Sequence, residues 1–311
     1  MDTVAVLMKE PERLALRRLQ LAEPGETDVV VDVAWSGIST GTERLLWSGR
    51  MPPFPGMGYP LVPGYESVGR VAVAGAASGR SVGETVFVPG STGFGNARGL
   101  FGGAASRLVA SGARVVPIDA GLGDLGVLVV RAATAHHAFP IDAPQLELII
   151  GHGVLGRLMA GIAVAIGAAP VVRETNPARR DGALGYEVRD PAEDTRKDYR
   201  IIADGSGDAA ILDTLVARLA PGGEIVLAGF YSDRLSFAFP PAFMREARIR
   251  IAAEWTPADL AAVGALIAAR RLSLDGLITR RAPAREAEAA YRTAFTDPAC
   301  LKMVLDWREV Q

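Results

Sequence analysis

Apolar residues follow two rhythms along this chain of 311 residues. Up to about residue 118 they come in short runs with strand character. Val29-Val-Val-Asp-Val-Ala34, Ser67-Val-Gly-Arg-Val-Ala-Val73 and Glu84-Thr-Val-Phe-Val88 each read as a strand, and Met1-Asp-Thr-Val-Ala-Val begins the same way. Glycine and proline clusters at Pro52–Gly56 and Pro60–Gly64 punctuate them. From about 120 the pattern changes to strands alternating with helices. Strands are predicted at 147–150, 170–174, 200–204 and 224–228, with helical stretches such as Ala209–Leu219 between them. The last part carries helix patterns at Pro257–Ala269 and Pro283–Phe295, then a strand-like Leu301-Lys-Met-Val-Leu305. A β-rich region followed by alternating strands and helices predicts an α/β protein whose second part is a doubly wound parallel sheet.

The chemistry is densest where the first of the later strands meets its helix: Glu147-Leu-Ile-Ile-Gly151-His-Gly153-Val-Leu-Gly156-Arg-Leu-Met-Ala-Gly161. An apolar strand runs into G-x-G-x-x-G and then into residues of helical period. In such a motif Gly151 permits the tight turn, Gly153 lets the backbone approach a pyrophosphate, and Gly156 lets helix and strand pack closely. The helix start, at Val154 and Leu155, offers unpaired N–H groups and a positive dipole end to the anion. Glu174 ends the next strand, 23 positions after Gly151, near the expected gap of about 20. A carboxylate there accepts hydrogen bonds from the ribose hydroxyls and repels a 2′-phosphate, which favours NAD over NADP. Arg173, Arg179 and Arg180 are the opposing signal, either phosphate ligands or solvated surface charges. Asp204-Gly205-Ser-Gly207 and Gly229-Phe-Tyr231 follow the last two strands, where ligands of such sheets bind.

Composition narrows the remaining classes. The net charge is −2, from 33 basic and 35 acidic residues, with no long single-sign run, so nothing marks a nucleic-acid or anionic-membrane surface. Cys300 is the only cysteine, which excludes an intramolecular disulfide and any cysteine-cluster zinc site. The chain starts in strand-like sequence without a basic n-region, unlike a signal peptide. The apolar run Leu158–Val172, 15 residues, is shorter than the roughly 20 that span a bilayer and contains Gly161, Gly167 and Pro170. A soluble, cytoplasmic protein is expected. An apolar content of 49% leaves room for an apolar pocket or a subunit interface, such as that of a homodimer.

Several segments together resemble the medium-chain dehydrogenase/reductase superfamily over essentially the whole chain. Gly37-Ile-Ser-Thr-Gly-Thr-Glu43 stands where that family has G-I-C-G-T-D, and Pro63-Gly-Tyr-Glu66 stands at its P-G-H-E. Ala133-Thr-Ala-His-His-Ala138 resembles the hinge before the nucleotide domain, and Leu219-Ala-Pro-Gly-Gly-Glu-Ile-Val226 a characteristic strand entry. The resemblance implies a GroES-like catalytic domain over 1–118, completed by about 256–311, and a Rossmann dinucleotide-binding domain over 119–255. The family's catalytic zinc ligands are replaced here by Ser39 or Thr40 and by Tyr65, its relay histidine aligns near Leu45, and its structural zinc loop by Gly90–Arg98, without cysteine. Thiolate and imidazole ligands are missing, so the chain resembles a zinc-independent branch with no bound metal. Ser36–Glu43 together with Met51–Glu66 is similar to the members of that branch that serve bacteriochlorophyll synthesis. That likeness implies oxidation of a 1-hydroxyethyl group on a tetrapyrrole, a bacteriochlorophyllide, to acetyl, with NAD as hydride acceptor.

Alcohol oxidation removes a hydride from carbon and a proton from oxygen. Without zinc, a side chain or ordered water must take the proton. Tyr65 replaces a metal ligand and is the first candidate, although it also reads as a residue that fills the zinc vacancy. Ser39, Thr40 and Thr42 are placed either to bond the substrate hydroxyl or to stabilise a glycine-rich turn. Glu66 completes the candidate catalytic set; it and Glu43 occupy positions that usually support the site. His137 matches a hinge residue, His136 is less constrained and is a candidate for the substrate cleft, and His152 lies inside the glycine loop. Trp47, Met51, Phe54, Met57 and Tyr59 are flat or flexible apolar residues spaced by Pro and Gly, suited either to a wall for a planar ring or to a loop packed on its own domain. Two other activities fit the same pattern: a zinc-independent NAD(P)H-dependent quinone or enone reductase, and a non-catalytic dinucleotide-sensing subunit.

Overall fold

The computed structural model describes residues 1–53, 55–139 and 145–310. Contacts divide the chain into two compact units, Met1–Leu128 with Leu277–Gln311, and Val129–Gly276. These units meet at 128/129 and 276/277, where the sequence reading puts its boundaries at 118/119 and about 256. Residues 120–128 form a 3₁₀ stretch that packs on the strands Asp28–Ile38 and Ser67–Ala74 of the first unit. The helix Pro257–Ala268 packs on the helix Val129–His137 and so stays with the second unit.

In the first unit the strand Asp28–Ile38 is the centre. It pairs antiparallel with Ser67–Ala74, with Arg107–Ser111 and, from the far end of the chain, with Met303–Asp306. Val29, Val31 and Val33 are buried from it, and the returning segment adds Met303, Val304 and Leu305. Trp307 is fully buried just beyond, its Nε1 donating to Ser36 Oγ at 2.8 Å. A hairpin of Asp2–Glu10 and Arg13–Gln20 forms a second sheet with Leu61–Val62 and Arg98–Gly99. The Gly90–Arg98 loop is held by hydrogen bonds: Ser91 Oγ donates to Val109 O (2.6 Å), and Ala22 N donates to Gly93 O (2.8 Å).

The second unit is a six-stranded, wholly parallel sheet. Its strands are Leu148–Ile150, Val171–Arg173, Glu187–Arg189, Tyr199–Asp204, Leu219–Leu227 and Arg248–Ile251, and their spatial order is third, second, first, fourth, fifth, sixth. This is the doubly wound order, with its switch point between the first and fourth strands. The four predicted strands are the inner ones, whose apolar runs are covered on both faces. Glu187–Arg189 and Arg248–Ile251 are the two edges, where charged residues interrupt the pattern, and they were not predicted. The run Leu158–Val172 resolves into the end of the helix Val154–Ala165, a turn at Gly167 (φ +93°) and the second strand. Among the described residues no helix is long and apolar enough to cross a membrane. One edge of this unit is unusually apolar on its surface: Phe239, Phe243, Met244 and Ile251 are each more than 60% exposed, and Phe237 and Ile249 also face solvent.

Candidate functional site

In the second unit the three loop glycines have three separate causes. Gly151 turns at φ +90°. A Cβ on Gly156 would lie 1.8 Å from Gly151 O, so helix and strand touch there. A Cβ on Gly153 would meet nothing within 4 Å, so that position borders open space. Gly153 is also the N-cap of the helix Val154–Ala165 and brings no capping side chain, which leaves the first N–H groups, among them those of Val154 and Leu155, for an incoming anion. The turns after the fourth and fifth strands close around the same edge. Gly205 N donates to Ile150 O (3.0 Å) and Gly229 N to Asp204 O (2.9 Å). The donor set fits a dinucleotide pyrophosphate.

Glu174 is buried, with both carboxylate oxygens taken up by main chain: His152 N donates to Oε2 (2.8 Å) and Asn176 N to Oε1 (2.7 Å). Each oxygen retains a lone pair for a ribose hydroxyl. His152 is a structural clamp. Its Nδ1 lies 2.6 Å from Arg179 O and its Nε2 2.7 Å from the Tyr186 hydroxyl, so Nδ1–H donates and Nε2 accepts. Burial pulls this imidazole down to about 4, and the ring is neutral at physiological pH. Arg157, one turn into the helix, donates to the carbonyls of His152, Arg179, Asp181 and Gly182 and grips the same loop.

Some candidates in this unit are bound elsewhere. Arg173 is 3% exposed and paired with the buried Asp194, and Arg180 is paired with Asp190, so neither faces outward as a ready phosphate ligand. Asp204 is fully buried, its carboxylate raised by that burial and bonded to Ser206 N and the Tyr231 hydroxyl; it ties two turns together in place of the expected cofactor contact. His136 does not stand free as a pocket residue. Its Nδ1 bonds Asp259 Oδ1 (2.7 Å) while His137 Nδ1 bonds Asp259 Oδ2 (2.8 Å), and the same aspartate caps the helix Pro257–Ala268 with Thr256.

In the first unit the strand Asp28–Ile38 and the short helix Thr42–Trp47 bracket Ser39, and Tyr65 and Glu66 precede the strand Ser67–Ala74. The Tyr65 hydroxyl donates to Ser39 Oγ at 2.7 Å. Tyr65 is half-buried, its ring edge-on to Phe101, and Ser39 is buried. Thr40 and Thr42 are half-buried at the start of the helix. Glu66 lies behind this pair. Its Oε2 accepts from Lys302 Nζ at 2.5 Å, both side chains being 2–3% exposed, so Glu66 is an ion-paired support and not an acid presented to substrate. Glu43 is fully buried, accepting from Ser39 N (2.9 Å) and the Tyr291 hydroxyl (3.0 Å). Burial raises its carboxyl to about 7, with the nearby Glu66 charge adding to the shift. Lys302 and Tyr291 were not singled out in the sequence; a lysine inside the apolar run Leu301–Leu305 was the one visible signal.

The aromatic and methionine wall is turned inward. Trp47, Met51, Met57 and Tyr59 are partly buried against the core of this unit. The Trp47 ring packs on Phe295 at 5.5 Å, and the Tyr59 hydroxyl donates to Leu46 O. The loop packs on its own domain, the second of the two readings. Phe54 lies outside the described residues.

A model of the alcohol dehydrogenase GroES-like domain matches residues 25–120. The chain is 56% identical over 314 residues to 2-desacetyl-2-hydroxyethyl bacteriochlorophyllide A dehydrogenase of Rhodobacter capsulatus, covering 100% of both chains. It is 55% identical to the protein of that name from Cereibacter sphaeroides, covering 99% of each. Among solved structures it is similar to 2R,3R-butanediol dehydrogenase of Bacillus subtilis (TM-score 0.82, 18% identity, 98% and 99% of the two chains). It is also similar to an alcohol dehydrogenase of Escherichia coli CFT073 complexed with NADH (TM-score 0.83, 20% identity, 98% and 99%). At those identities the structures carry the fold.

Two outcomes follow from the geometry. Gly153→Val fills open space, so dinucleotide binding measured by calorimetry should be lost while the melting temperature changes little; Gly156→Val, whose Cβ meets a backbone oxygen, should lower the melting temperature as well. The Glu43 carboxyl is raised in the fold from its ordinary 4.5 to about 7, so the folded state binds more protons between those values and its stability falls as pH rises through that window. Glu43→Gln keeps the hydrogen-bonding shape and removes the titration. Its stability relative to the unmodified protein, read from urea midpoints, should therefore climb from pH 4.5 to pH 7 by about 3 kcal/mol; a difference independent of pH would overturn this.

Proposed function

The chain belongs to the medium-chain dehydrogenase/reductase superfamily, in the family of the two bacteriochlorophyllide dehydrogenases, and we propose that it catalyses the reaction their name describes. It oxidises the C3 1-hydroxyethyl group of a bacteriochlorophyllide to acetyl, as a step of bacteriochlorophyll a synthesis. The observation that carries this reading is the 56% identity across the whole of both chains. NAD⁺ is the cofactor, and when bound it supplies the hydride acceptor. Glu174 selects it by accepting from the ribose hydroxyls and repelling a 2′-phosphate.

The proton leaves through the first unit. Tyr65 Oη takes it from the substrate hydroxyl while the Tyr65 proton moves along the 2.7 Å hydrogen bond to the buried Ser39 Oγ, whose own proton passes by way of ordered water to bulk solvent. Glu43 fixes the Ser39 backbone, and the Glu66–Lys302 pair fixes the segment that carries Tyr65. Thr40 and Thr42 flank this relay as secondary hydroxyl groups. No metal enters the scheme; among the described residues no group of three or more His, Cys, Asp or Glu side chains is arranged to hold one.

We further propose a cytoplasmic homodimer that pairs through the apolar edge around the strand Arg248–Ile251. The support is the exposed Ile249 and Ile251 on a sheet edge with no neighbour among the described strands, together with the exposed Phe239 and Phe243 of the helix Phe239–Met244 that precedes it. Gel filtration of the soluble cell fraction should give the mass of two chains, and Ile251→Lys that of one; a monomer in the unmodified protein removes the proposal.

The activity is tested by incubating the protein and NAD⁺ with the hydroxyethyl pigment and following the absorption shift on acetyl formation. Tyr65→Phe removes only the hydroxyl and should lower kcat about 10²–10⁴-fold with little change in NAD⁺ affinity. No shift with the pigment, combined with NAD(P)H-dependent reduction of a quinone, would replace this function by the reductase reading. Near-normal turnover by Tyr65→Phe would instead remove Tyr65 from the proton path.

A further inference from the structure

The tip of the second strand carries a cation that is kept occupied. The strands Val171–Arg173 and Glu187–Arg189 run parallel with Arg173 opposite Arg189, so Glu174 and Asp190 leave the same edge of the sheet side by side. Glu174 N donates to Arg189 O (3.1 Å), which locks the two ends together. Arg180 folds back onto this edge. Its Nε donates to Glu174 O (2.9 Å), its Nη2 donates to Thr175 O (3.1 Å), and the same Nη2 forms an ion pair with Asp190 Oδ2. A guanidinium therefore lies against the backbone of the very residue that is expected to meet the ribose. Asp190 is itself held by a second contact, Ala192 N donating to its Oδ1 at 2.9 Å. That N–H above all, and the Arg180 charge, keep its carboxyl below the usual carboxylate range.

A dinucleotide with a 2′-phosphate would place a dianion beside Glu174. An arginine at that spot is the side chain best suited to receive it, through a planar fork of donors. We propose that Asp190 is a specificity-determining residue that acts through Arg180: by pairing with that guanidinium it withholds it from a 2′-phosphate. The preference for NAD then has two parts. Glu174 repels the phosphate, and Asp190 occupies the cation that would otherwise compensate. Removing Glu174 alone leaves Arg180 engaged and gives only part of the change.

This rests on the glycine loop binding a dinucleotide, and the test separates the two claims. Calorimetric titrations with NAD⁺ and NADP⁺ are made on the unmodified protein, Glu174→Ser, Asp190→Asn and the double variant. Asn keeps the Oδ1 acceptor for Ala192 N and removes the charge from Arg180; Asp190→Ser serves where the asparagine variant does not fold. The double variant should bind NADP⁺ about ten-fold or more tighter than Glu174→Ser, the worth of one charge-assisted hydrogen bond. Adding Arg180→Ala to the double variant should abolish the gain. Asp190→Asn alone should bind NAD⁺ as the unmodified protein does, which a merely structural role for Asp190 would not allow. Equal NADP⁺ affinity in Glu174→Ser and the double variant, or a gain that survives Arg180→Ala, overturns the proposal. Failure of the unmodified protein to bind either dinucleotide would overturn the reading of the loop instead.

Discussion

A carboxylate sealed from water must find a cation, and in the first unit that requirement joins the two ends of the chain. Glu66 and Lys302 are 236 positions apart, both almost fully buried, and each is the other's counterion. Desolvating two charges costs several kcal/mol per ion, and losing one partner of such a pair typically costs about 3–5 kcal/mol, because the survivor is left unpaired. The segment carrying Tyr65 and the returning strand are therefore held to one arrangement. Glu43 repeats the logic in a milder form, with Ser39 N and Tyr291 as neutral donors and a carboxyl that remains close to taking up a proton. The half-buried Tyr65 phenol and the buried Ser39 hydroxyl are held at hydrogen-bonding distance by this buried polar scaffold.

The second unit handles charge by another route. Its key carboxylate, Glu174, is fixed by the backbone N–H groups of His152 and Asn176. Of the arginines around it, Arg173 is paired with Asp194 and Arg180 with Asp190, while Arg157 donates to loop carbonyls. His152 stays neutral and contributes shape, bonding on both sides of its ring to the loop that follows Glu174. One unit thus ties its polar site with a buried ion pair across the chain, and the other holds Glu174 with backbone donors while Arg173 and Arg180 are engaged by their own acids.

Much of this was legible in the sequence where local rules act alone. The inner strands of the parallel sheet announced themselves as apolar runs, and Gly151, Gly153 and Gly156 by their spacing. The edge strands Glu187–Arg189 and Arg248–Ile251 were not legible, because an edge has no second covered face to demand apolar residues. The partners of buried polar groups were equally hidden. Nothing near Glu66 in the sequence names Lys302, and nothing near Glu43 names Tyr291, since those contacts exist only after the chain end has returned. The partners of Asp204 and His136 were hidden for the same reason: a polar residue at a strand end or hinge looks available until its long-range partner, Tyr231 or Asp259, is in place. Trp47 and Tyr59 have the composition of a ligand wall, and only packing shows which way they turn.

The second unit is one uninterrupted length of chain, whereas the first is split around it. During synthesis the ribosome therefore delivers every residue of the nucleotide-binding sheet before it delivers Tyr291, Lys302 or Trp307. Until those arrive, Glu66 lacks its lysine, Glu43 lacks the Tyr291 hydroxyl and Ser36 lacks the Trp307 donor, and the stretch Trp35–Ile38 has no strand in the place that Met303–Asp306 will take. The inserted unit ends at Gly276, so all of its strands have been delivered once that residue has left the exit tunnel. The whole of the middle unit is thereby in hand while the unit that bears Tyr65 still waits for a strand of its own sheet.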